Sequence, residues 1–104
     1  MPEWVRAASL AECPPGSLLG VEVTGLRIVL ANVEGDVHAL LDRCSHQDYP
    51  LSDGELDGTR LECIYHGARF DVCTGRAVRL PAIRPVRVFE VDVRDGEVYV
   101  QTGD

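Results

Sequence analysis

The sequence predicts an all-β protein, an antiparallel β-sandwich or barrel scaffold with a small loop-rich module inserted into it. Three observations carry this expectation. Short aliphatic and β-branched runs alternate with Gly-containing turns up to residue 41. No segment before residue 44 shows a helical apolar period. Residues 42–85 then depart from the pattern, with three Pro (50, 81, 85) and four Gly (54, 58, 67, 75), before strand-like alternation resumes at 86. With 104 residues in all, a single domain over 1–104 is expected, its scaffold built from about 1–41 and 86–104 and its module from about 42–85.

Taken in order, 3–9 reads as a first edge strand, and Cys13-Pro14-Pro15-Gly16 breaks the chain. Leu18 to Val23 and Leu26 to Val33 read as strands around a Thr24-Gly25 turn, and Val37 to Leu41 follows a turn at Glu34-Gly35-Asp36. Inside the module, turn signals at Asp53-Gly54, Asp57-Gly58 and Thr74-Gly75 leave room only for short strands, such as Thr59 to Ile64 and Arg76 to Leu80. Val86 to Val93 resumes the scaffold. Its apolar parity shifts between Val88 and Phe89, which predicts a β-bulge there. Asp95-Gly96, a strong hairpin signal, then leads into Glu97 to Val100.

Composition narrows the function. The hydrophobic fraction of 45% is ordinary for a soluble protein, and no apolar run is long enough to span a membrane. The first residues lack both a basic start and an apolar stretch, so a cytoplasmic location is expected. The net charge is −7, and the ten basic residues, all Arg, are scattered. That argues against nucleic-acid binding and for solubility, or attraction to a basic partner face. Four cysteines in a chain without an export signal are not expected to pair, and Cys13 and Cys73 read as free thiols.

The chemistry lies in two short boxes, Cys44-Ser45-His46 and Cys63-Ile64-Tyr65-His66, with sixteen residues between them. Each couples a thiolate to an imidazole, and four such ligands from two tight loops point to a metal centre. Zinc is one occupant. Common zinc modules, however, pair like ligands, whereas both pairs here are mixed. A binuclear iron–sulfur cluster accepts mixed pairs readily, with the thiolates on one iron and the imidazoles on the other.

These boxes resemble the Rieske [2Fe–2S] motif. The resemblance continues through Gly67-Ala68-Arg69-Phe70-Asp71 and Thr74-Gly75, and Leu80-Pro81-Ala82 is similar to the family's proline loop over the cluster. It implies the Rieske fold, one [2Fe–2S] cluster per chain, Cys44 and Cys63 as ligands of one iron and His46 and His66 as ligands of the other. It also places the imidazoles toward solvent. Around the cluster, Gly67 permits close backbone approach, Pro81 stiffens the covering loop, Tyr49 and Tyr65 pack over the loops, and Gln47 lies near the tip.

The departures refine the resemblance. Respiratory and photosynthetic Rieske proteins carry an extra Cys in each box, and the matching positions here are Tyr49 and Tyr65, so no such disulfide forms. Those proteins also usually have a Ser and a Tyr where this chain has Ala68 and Phe70. Hydroxyl hydrogen bonds to the cluster region favour the reduced state, so their absence predicts a potential near the low end of the Rieske range, roughly −150 mV. The similarity is therefore to the soluble, low-potential ferredoxins of aromatic-ring dioxygenase systems.

This implies a one-electron carrier, not an enzyme in itself, taking electrons from a flavin-dependent reductase and passing them to a terminal oxygenase or another redox acceptor. Docking at the cluster tip is expected to be transient and the protein monomeric, with no nucleic-acid or membrane partner. His38 reads as a structural strand residue. With it as the sole histidine outside the boxes, the chain lacks the two-histidine, one-carboxylate mononuclear iron site of an oxygenase. Two other readings compete: a small Rieske subunit of a nitrite-reductase-like complex, and a Cys₂His₂ zinc structural or interaction module.

Overall fold

The computed structural model describes residues 4–43, 50–63, 68–79 and 85–102. Among the described residues, ten strands form two antiparallel sheets. The larger takes β1 (Trp4–Ser9), β2 (Leu18–Val23), β3 (Leu26–Val33), β4 (Asp36–Leu41), β9 (Val88–Arg94) and β10 (Glu97–Gln101), in the order β1-β10-β9-β4-β3-β2. Its edge strands β1 and β2 lie against each other, so this sheet is a nearly closed barrel. The smaller is a meander of β5 (Glu55–Asp57), β6 (Arg60–Glu62), β7 (Arg69–Asp71) and β8 (Ala77–Arg79). No α-helix occurs among the described residues, which hold only short 3₁₀ turns at Leu10–Glu12 and Leu51–Asp53.

Local chemistry accounts for the barrel hairpins. Thr24-Gly25, Glu34-Gly35 and Asp95-Gly96 all have positive φ at both residues, the sign pattern of the type I′ turn whose twist suits a two-residue hairpin. At Leu10–Glu12 the Ser9 side chain and the Glu12 carboxylate form a reciprocal capping box, which turns the chain out of β1. The broken stretch after it is tied down by the buried Asn32, which donates to the Cys13 carbonyl and accepts from the Gly35 N–H, each at 2.7 Å.

β3 is the wall shared by two cores. Ile28 and Leu30 point into the barrel with Val98, Val100 and Phe89. Val29 and Ala31 point the other way, onto a second core containing Leu51, Leu61, Cys63, Ala68, Phe70, Val72 and Val86. Being covered on both faces, the middle of β3, Ile28 to Ala31, reads as a continuous apolar run without alternation. β4 behaves likewise, with Ala39 facing the barrel and Leu40 the second core.

One expectation fails. No bulge separates Val88 from Phe89, which pair in unbroken register with Leu40 and Ala39. The parity change has another cause. Val86 is buried in the second core, while Phe89 is buried in the barrel. The chain changes the core it serves at the point where it enters β9, and Val88 is left 40% exposed. Register shifts fall instead between Arg6 and Ala8 and between Arg69 and Phe70.

Candidate metal centre

The second core is where the residues flanking the two boxes and the proline loop meet. Leu51 follows the segment 44–49, Cys63 and Ala68 bracket 64–67, and Val86 lies just beyond 80–84; all four are buried in one cluster. Cys63 sits at the end of β6 with no exposed surface, and its N–H donates to the Ala68 carbonyl at 2.7 Å. The bond draws Cys63 and Ala68 together. Next to it, Glu62 and Arg69 face each other across β6 and β7, and their half-buried side chains form an ion pair of 3.0 Å.

Two glycines let the supporting backbones approach closely. A Cβ on Gly54 would overlap the Glu62 carbonyl oxygen, so the chain returning from the first box rests on the strand leading into the second. Gly75, at φ +77°, places its carbonyl 2.7 Å from the Val86 N–H, and a Cβ there would overlap the Val86 carbonyl oxygen. This contact joins the small sheet to the strand re-entering the barrel.

Of the residues expected at the site, the structure describes Cys63, which it buries at this junction. Cys44, His46, Gln47, Tyr49, Tyr65, His66, Gly67 and Pro81 lie outside the described residues. Among the described residues no three of His, Cys, Asp and Glu are grouped to hold a metal. Ala68 and Phe70 are both fully buried. The fit of Cys63 to a thiolate-ligated cluster is chemical: a shielded sulfur between the flanks of both boxes, in apolar surroundings that exclude water.

Sequence reasoning missed two features. Asp42, 6% exposed, accepts from both the N–H and the hydroxyl of Ser52. Cys73 places its sulfur 3.8 Å from His38 Nε2, in an open groove of about 810 Å³ between β4, β9 and the turn after β7. Although Cys73 is exposed, the desolvation it does experience pushes its thiol above its ordinary value, and the nearby Asp71 and Asp36 carboxylates add to this. No motif could have announced either contact, since the partners are common residue types brought together by the fold. Asp53, at the end of the second 3₁₀ turn, and Glu55 and Asp57 of β5 are exposed.

A barrel carrying a small four-stranded sheet, with a buried thiol where the flanks of two Cys/His boxes meet, fits a Rieske-type iron–sulfur protein. Residues 3–90 match the Rieske [2Fe-2S] domain, and the chain belongs to that family. It is 39% identical over 98 residues to the ferredoxin component of the naphthalene 1,2-dioxygenase system of Pseudomonas aeruginosa, covering 94% of each chain. The ferredoxin of carbazole 1,9a-dioxygenase from Nocardioides aromaticivorans superposes with a TM-score of 0.92 at 32% identity, over 96% of this chain and 98% of that one. A further solved structure, a complex of reduced oxygenase and oxidized ferredoxin in carbazole 1,9a-dioxygenase, matches with a TM-score of 0.88 at 37% identity, over 94% and 92% of the chains. The cofactor is accordingly a Rieske [2Fe–2S] cluster, and the role is electron transfer.

Proposed function

We propose that this protein is the ferredoxin component of a multicomponent oxygenase system, carrying single electrons from a flavin-dependent reductase to a terminal oxygenase. The observation that supports this best is the convergence of Leu51, Cys63, Ala68 and Val86 on one core, which gathers the flanks of both ligand boxes and of the proline loop. Full-length similarity to ferredoxin components of dioxygenase systems supports the same reading.

In this reading Cys44 and Cys63 hold one iron, and His46 and His66 hold the other. The cluster, when bound, accepts and releases one electron at modest potential. The chain's own residues do the rest. Cys63 supplies a thiolate from a site that excludes water. Gly67 permits close backbone approach, Pro81 stiffens the cover, Tyr49 and Tyr65 shield the loops, and Gln47 lies at the tip. Residues 42–85 form the cluster-binding unit, and 1–41 with 86–104 form its support. The partners dock transiently at the His46 and His66 edge, and the acidic surface makes that docking weaken with salt. No helix among the described residues is long and apolar enough to cross a membrane, and the protein acts in the cytoplasm.

The test is spectroscopic. The purified protein is expected to be red-brown, to contain iron and acid-labile sulfide, and to be reduced by one electron per chain. His66→Ala abolishes the normal visible and EPR spectra. An unchanged spectrum in that variant overturns the ligand assignment, and zinc in place of iron overturns the function.

A further inference from the structure

We infer that Asp42, Ser52 and Gly20 form a clamp that sets the position of the first ligand-bearing segment, and through it the lifetime and electronic environment of the cluster. The inference rests on the assignment of Cys44 and His46 as ligands.

Asp42 precedes Cys44 by two residues and is only 6% exposed. A carboxylate buried so far requires partners for both oxygens. One residue supplies them: Oδ1 accepts from the Ser52 N–H and Oδ2 from the Ser52 hydroxyl, each at 2.7 Å. Such short bonds to an ionised acceptor are among the stronger ones in proteins. Ser52 lies beyond the first box, so the contact joins the two ends of the segment 43–51.

Both ends are themselves anchored. The Asp42 N–H donates to the Arg27 carbonyl and the Leu41 N–H to the Arg87 carbonyl, each at 2.8 Å, which fixes Asp42 to the barrel. Ser52 follows the fully buried Leu51, whose carbonyl accepts from the Gly54 N–H at 2.9 Å. The clamp therefore refers the first ligand segment to the barrel wall and to the second core together.

Gly20 is an independent sign that the arrangement needs room. It lies inside β2, where glycine weakens a strand and calls for a reason. A Cβ at this position would stand 2.8 Å from Ser52 Oγ and 3.1 Å from Asp42 Oδ2. Space for the clamp is that reason.

The test uses the holoprotein and four variants: Ser52→Ala, Ser52→Thr, Asp42→Asn and Gly20→Ala. Three quantities are read: the rate at which visible absorption decays in excess iron chelator, the EPR g-values of the reduced protein, and the thermal unfolding midpoint. Ser52→Ala changes no charge, so a change in its g-values reports geometry. It is expected to lose the cluster about tenfold faster, the effect of losing one charge-assisted hydrogen bond, with shifted g-values. Asp42→Asn and Gly20→Ala act in the same direction, and Ser52→Thr, which keeps the hydroxyl, restores the wild-type lifetime. Wild-type lifetime and g-values in both Ser52→Ala and Asp42→Asn overturn the clamp. So does a lowered unfolding midpoint with unchanged g-values, which marks a purely structural contact. If Ser52→Ala does not fold, Gly20→Ala and Ser52→Thr decide by the same criteria. A normal spectrum in His46→Ala would instead overturn the ligand assignment on which the clamp depends.

Discussion

Replacing Gly75 by Ala tests how the small sheet is joined to the barrel. The substitution acts twice. At φ +77° a residue with a Cβ bears about 1–2 kcal/mol of backbone strain. The new Cβ also overlaps the Val86 carbonyl oxygen and lies 2.9 Å from Val88 Cγ1. Relieving that overlap displaces a buried residue, at about 1–3 kcal/mol, and puts the 2.7 Å bond from the Val86 N–H to Gly75 at risk, worth about 1 kcal/mol. The sum is about 3–6 kcal/mol. For a domain of roughly this size each kcal/mol moves the midpoint by about 4–8 °C, so a fall of at least about 12 °C is expected. Thermal unfolding followed by circular dichroism and by visible absorption measures it. Because Val86 and Cys63 share a core, both signals fall together. Gly58→Ala is the control. It too has positive φ (+60°), but a Cβ there meets nothing within 4 Å, so it loses only the backbone contribution. A Gly75→Ala midpoint no lower than that of Gly58→Ala would refute the close-approach argument.

Three further outcomes are expected. The wild-type potential lies below zero, and Phe70→Tyr with Ala68→Ser raises it; each new hydroxyl bond that favours the reduced state by about 1 kcal/mol adds about 40 mV, and redox titration of the pair without an upward shift would count against the assignment. Phe70→Ala, at a fully buried position, destabilises by about 3–5 kcal/mol, read in denaturant melts. The folded Cys73 thiol titrates above its unfolded value of 9.0, first through burial and then through Asp71 and Asp36. Its contribution to stability is therefore complete below about that pH and is lost as pH rises through the folded value. Iodoacetamide labelling at neutral pH is slow, and the alkaline decline in stability is smaller in Cys73→Ser.

Much of the scaffold was legible because its signals are local. The bounds of β2 and β3 follow from apolar runs stopped by Thr24-Gly25 and Glu34-Gly35, whose backbone geometry depends on the residues at the turn itself. The error at Val88 and Phe89 came from treating one strand as serving one core. Alternation cannot show that Val86 answers to the small sheet and Phe89 to the barrel. His38 read as an ordinary strand residue because its neighbour Cys73 is 35 positions away.

By itself the sequence determined the all-β class and the hairpins, and it narrowed the chemistry of the proposed ligand set, since mixed Cys/His pairs at short spacing limit the metals they can hold. Its Tyr49, Tyr65, Ala68 and Phe70 likewise separated it from the disulfide-clamped branch of the family. Only the tertiary structure decided that β3 and β4 are walls common to two cores, that Gly75 joins the sheets, and that Asp42 reaches Ser52 beside Gly20. Such contacts depend on where distant backbones come to lie, and residue type alone carries no record of that distance.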